Sequence, residues 1–161
     1  MKKTFVYLFT LFGSFVLLGL IFLAPVLKSQ SNPLGEMIYI LFSPLCHQIP
    51  ERSFMIYDYP LAVCARCLGI YLGFFIGTLL YPLIKGIRNL EVPQRSYLIF
   101  FTLPIIIDAG ANFLGLWNTP NWIRLIIGTL WGSILPFFFI AGINDLFYKN
   151  KNSQTILDIS R

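Results

Sequence analysis

The chain has 161 residues, 57% of them hydrophobic and 12% charged, with a formal net charge of +5. Charged residues are about half as frequent as usual, and a soluble domain of this length cannot bury so much apolar surface, Phe alone occurring 16 times. The basic residues lie between and beyond the apolar runs, which suits membrane orientation and excludes the basic stripe of a nucleic-acid-binding protein.

Lys2 and Lys3 precede an apolar run from Phe5 to Leu27. A secretory signal also begins this way, but its core spans roughly 7–15 residues and ends at a small-x-small site, which is missing here. The run therefore predicts a retained membrane helix. Asn32-Pro33 follows, an N-cap residue with proline at the first helical position. Leu34 to Phe42 continue that helix, and Ser43-Pro44 ends it. At about 1.5 Å per residue it is too short for roughly 30 Å of hydrocarbon, so an interfacial or re-entrant helix is expected. Farther on, Arg52 to Tyr57 and Pro60 to Val63 flank Asp58-Tyr59 and predict a short hairpin.

Three further apolar runs, at about 65–84, 97–117 and 121–143, are each long enough to cross a bilayer as a helix. Asn118-Thr119-Pro120 makes the last two antiparallel neighbours. The expected fold class is an all-α integral membrane protein. It has about four transmembrane helices, a short interfacial or re-entrant helix and an external hairpin loop bearing Cys and His. One polytopic domain covers 1–147, its first span at about 5–27, and a polar, mobile tail covers 148–161.

Lys2, Lys3, Lys85, Arg88, Arg95, Lys149, Lys151 and Arg161 then share one side, against Lys28, Arg52, Arg66 and Arg124 on the other. The heavier side faces the cytoplasm. A plasma-membrane protein with both termini inside and residues 46–67 outside is expected. Gly69, Gly73 and Gly77 recur every fourth residue, as do Gly128 and Gly132. Such faces let helices approach closely in lipid, within the chain or in a homo-oligomer.

The chemistry concentrates in Cys46, His47, Cys64 and Cys67, which include every cysteine and the sole histidine. Three thiolates and an imidazole make a closed tetrahedral site for zinc, or for iron. Adjacent Cys46 and His47 tend to diverge, so one of them is expected to point elsewhere. The alternative is a redox dithiol of Cys64 and Cys67, its thiol activated by Arg66 and a helix N-terminus, passing electrons to a quinone. A structural disulfide and unreactive thiols are the bland readings.

Asp108 stands within the third span, with Asn112 one turn later and Pro104 four residues before. Arg124 lies just inside the fourth. Ionisable residues inside a membrane usually mark a functional site, so Asp108, Asn112 and Arg124 are read as a ligand or cofactor pocket under the cysteines. An internal Asp108–Arg124 pair that fixes register is the structural alternative, and a small transporter using Asp108 as coupling group is a third functional reading.

The segments Cys46-His47-Gln48-Ile49-Pro50-Glu51-Arg52-Ser53-Phe54 and Cys64-Ala65-Arg66-Cys67-Leu68-Gly69-Ile70-Tyr71-Leu72-Gly73-Phe74 resemble the two signatures of a family of prokaryotic membrane proteins catalogued as domain of unknown function 2085. Asp108, Asn112, Arg124, Gly128 and Gly132 are similar to its third block. Ala109 and Asn112 depart from that family's Gly and Gln. The resemblance covers about residues 35–140 and implies a family without implying an activity.

Overall fold

The structure, a computed structural model, describes residues 2–85 and 93–159, of which residues 2, 3, 95 and 144–159 by their backbone alone. Helices α1 (Lys2–Ser29) and α2 (Pro33–Phe42) come first. A 3-10 turn at Pro50–Arg52 leads into a hairpin of β1 (Met55–Ile56) and β2 (Tyr59–Pro60). Helices α3 (Ala65–Ile84), α4 (Arg95–Phe113) and α5 (Asn121–Ile159) follow. Among the described residues four segments are long and apolar enough to cross a membrane, namely Thr4–Ser29, Ala65–Ile84, Ser96–Phe113 and Asn121–Ile143. The protein is thus an all-α, multi-pass membrane protein, with Arg88 and Arg161 of the orientation count outside the described residues.

Local chemistry sets the boundaries. Asn32 caps α2 by accepting a 3.0 Å hydrogen bond from the Leu34 N–H, and Pro33 occupies the first turn. The third span ends at Phe113 instead of near residue 117. Leu114 caps it and Gly115, at φ +69°, turns the chain in a conformation that only glycine takes without strain. α5 continues to Ile159. No glycine or proline follows Gly142 in that stretch to stop it.

The glycine faces meet each other. A Cβ on Gly73 would lie 2.2 Å from Thr129 O, and one on Gly132 would lie 2.3 Å from Ile70 O. Gly69, Gly77 and Gly128 are equally close to backbone of the facing helix. These faces join α3 to α5 inside one chain. α4 is attached more loosely. Only 11% of its apolar window is buried, against 33% for α3, so most of it lies on the outside of the bundle.

The chain turns through a cap at the end where α1 and α4 finish and α3 and α5 start. Gly35 of α2 packs directly on α1, an added Cβ there lying 2.8 Å from Lys28 N. The hairpin pairs Met55 with Pro60 and Ile56 with Tyr59. Its two turn residues are Tyr57 and Asp58, one position earlier than expected, both at positive φ as a type I′ turn requires. Leu18, Ile21, Ala24, Ile38, Phe42, Cys46, Leu61, Ala62, Val63 and Leu68 form the core joining this cap to the bundle.

Candidate metal centre and polar pocket

Two segments of chain bring the three cysteines together. Cys46 follows α2, its N–H bonded to Phe42 O at 3.0 Å. Cys64 is the N-cap of α3, and Cys67 lies in that helix's first turn. Their three sulfurs lie within 4.8 Å of one another. Cys64 Sγ is 3.5 Å from Cys67 Sγ, and the Cys64 N–H donates to Cys46 Sγ at 3.2 Å. All three are free thiols, Cys46 buried and the other two half-buried. Contacts with Cys46, then with Cys67, hold the Cys64 thiol well below its usual range, whereas contact with Cys64 pushes Cys46 up.

A tetrahedral ion with bonds of about 2.3 Å needs sulfurs about 3.8 Å apart. The three sulfurs are close to that spacing, so the donor set fits a thiophilic ion. His47 is exposed and stands outside the group of clustered donors. Gln48, the next residue, has a positive φ of +50°. Gln48 Nε2 donates to Tyr39 O at 2.7 Å and to Ala62 O at 2.8 Å, fixing the Cys46 loop to the strand end that leads into Cys64. The Tyr39 hydroxyl donates to Pro60 O, and Lys28 Nζ lies 5.1 Å from the Tyr39 ring centre.

Arg66, between the two clustered cysteines of α3, forms an ion pair with Asp108 of α4. From sequence, Arg66 is placed as an outward charge and as an activator of the Cys64/Cys67 dithiol, and Arg124 as the partner of Asp108. α3 lies close enough to α4 for Arg66 to take that place. The Thr119 hydroxyl and Asn112 Nδ2 also donate to Asp108 Oδ1, the latter at 3.1 Å. Arg124 Nη2 instead donates to Asn112 Oδ1 at 2.8 Å and Asn118 Oδ1 at 3.2 Å. Asp108 and Arg124 are 4% and 3% exposed, yet the Nε atoms of Arg66 and Arg124 have no partner among the described residues. Asp108, Asn112 and Arg124 therefore share one network, and Arg66 connects it to the cysteines. Gln48 and Arg66 lie inside the two signatures, at Cys46-His47-Gln48 and Cys64-Ala65-Arg66-Cys67, whereas Thr119 carries no signal.

A cavity of about 520 Å³ opens beside this network, walled by Ile49, Glu51, Arg52, Asn112, Gly115, Trp117 and Asn118. The molecule is thus a multi-pass membrane protein with a three-sulfur cluster and a charged polar network at one end of its bundle. It belongs to the family described as "Predicted membrane protein (DUF2085)", whose model matches residues 46–156. An uncharacterized protein of Methanocaldococcus jannaschii is 36% identical over 155 residues, 92% of this chain and 98% of that one. Another from Methanothermobacter thermautotrophicus is 30% identical over 92 residues, 57% of this chain and 81% of that one. No solved structure matches this chain.

Proposed function

We propose that the protein holds a thiophilic metal ion, zinc or iron, at the outer face of the plasma membrane through Cys46, Cys64 and Cys67. The observation that carries this reading is the meeting of three sulfurs, from the segment after α2 and the first turn of α3, within 4.8 Å. His47 completes the shell by turning inward from its exposed place beside Cys46. Asn112 lines the ligand pocket beneath, with Asp108 and Arg124 hydrogen-bonded to it from behind. The excess of Lys and Arg at the opposite end supports cytoplasmic termini.

Elemental analysis of the detergent-purified protein, with thiols counted before and after reduction, tests this. About one ion per chain is expected, lost in a Cys64→Ser, Cys67→Ser variant and bound more weakly by His47→Ala. No metal, with two thiols appearing only after reduction, would overturn the metal reading. The 3.5 Å separation of Cys64 Sγ from Cys67 Sγ supports a second reading, in which this pair cycles between dithiol and disulfide with quinone as electron acceptor.

A further inference from the structure

Arg66 and Arg124 enter the end of the bundle and Arg52 stands over it. The anionic groups facing them are Asp108, Glu51 and Cys64, and both Asp108 and Cys64 act electrostatically on Arg124. Asp108 is taken by Arg66. Glu51 and Arg52 are both exposed, so solvent screens them and they largely offset each other. Arg124, 3% exposed and in no salt bridge among the described residues, is a buried cation whose direct hydrogen-bond partners are neutral amides. An amide accepts a hydrogen bond but does not neutralise a charge, and a buried charge held without direct ion pairing is costly.

The two amides that accept from Arg124, Asn112 and Asn118, are also walls of the 520 Å³ cavity, with Arg52 and Trp117 at its sides. Arg124 thus stands directly behind the cavity wall with its Nε unpartnered. We infer that this cavity binds a small oxyanion, the phosphate or carboxylate of a solute or the phosphate of an anionic lipid headgroup. Arg52 meets the anion from the open side and Arg124 supplies the compensating charge from behind. The inference rests on the pocket in the preceding reading and not on its metal.

The test uses the full chain in phosphatidylcholine nanodiscs at low salt. Inorganic phosphate is one probe and phosphatidylglycerol added to the nanodisc is the other, read by calorimetric titration and thermal midpoint. Saturable binding that raises the midpoint is expected. It should weaken about tenfold in Arg124→Gln and several-fold in Arg52→Gln, whose midpoint without ligand stays at the parent value. Binding of phosphate assigns a solute, and binding of phosphatidylglycerol alone assigns a lipid headgroup. The Cys64→Ser, Cys67→Ser variant should bind as the parent does, and its failure to bind would overturn the independence from the metal. Saturable binding of neither probe, or binding unchanged in both arginine variants, would overturn the site. Where Arg124→Gln does not fold, Arg52→Gln decides alone.

Discussion

Arg66 reaches from between Cys64 and Cys67 on α3 to form an ion pair with Asp108 on α4. One residue thereby belongs to the sulfur-bearing turn by sequence and to the intramembrane network by contact. α4 otherwise holds to the bundle mainly through α5, as in the 2.9 Å bond from Trp131 Nε1 to Thr102 Oγ1.

Asp108→Asn should therefore loosen α4 without emptying the sulfur cluster. Removing one partner of a buried pair costs about 3–5 kcal/mol, and the lower end applies here because the Arg66 side chain retains 23% exposure. Denaturant-induced unfolding in detergent measures the loss, and elemental analysis should return the parent metal content. Loss of the metal together with stability would mean that the pair acts on the cysteine turn instead.

Gly73→Ala should disrupt the α3–α5 contact. Its Cβ would lie 2.2 Å from Thr129 O and 2.8 Å from Ser133 N, both backbone atoms that no rotamer change can move. Overpacking commonly costs about 1–3 kcal/mol, and backbone clashes exceed that range. Gly13→Ala is the control, because nothing lies within 4 Å of its added Cβ. A thermal midpoint unchanged in Gly13→Ala and sharply lowered in Gly73→Ala is the expected result.

Much of this arrangement can be read from residue spacing. Four long apolar runs dictate four helices because lipid leaves backbone groups no other partner. Asn32-Pro33 marks the start of α2 chemically, and the glycine repeats mark a close contact. Spacing does not say which helix a glycine face meets. Nor does it give the partner of Asp108, since Arg66 and Arg124 are both within side-chain reach and the choice depends on helix rotation. The cysteines were legible as a group, but spacing alone does not say that His47 lies exposed and apart from them, next to Gln48 with its positive φ.

Cys64 should be the thiol that reacts first in metal-free protein. Its contacts with Cys46 and Cys67 lower its titration, so the thiolate is the form present at neutral pH and is lost only on strong acidification. Its alkylation rate should stay nearly flat from about pH 8 down to about pH 6, where an ordinary thiol slows about tenfold per unit. Cys46, buried and titrating above its usual range, should react only in alkali. Mass spectrometry of iodoacetamide-treated protein assigns each rate, and a tenfold slowing of Cys64 over that range would refute the ordering.

Gln48→Ala should weaken metal binding while leaving the four long helices assembled. The side-chain amide is the clamp between the loop that carries Cys46 and the residues preceding Cys64, and its two hydrogen bonds, at 2.7 and 2.8 Å, end on backbone carbonyls. Deleting it frees Cys46 to move away from the other two sulfurs and leaves two carbonyls in search of donors. Groups that orient metal ligands without touching the ion typically change affinity about 10–100-fold when removed. Competition with a chromogenic chelator should show a loss in that range, with an unchanged stoichiometry at saturating metal and unchanged helical circular dichroism. Gln48→Glu separates the two parts of the argument: it retains the side-chain length but loses the donor, so its affinity should fall as far as that of the alanine variant.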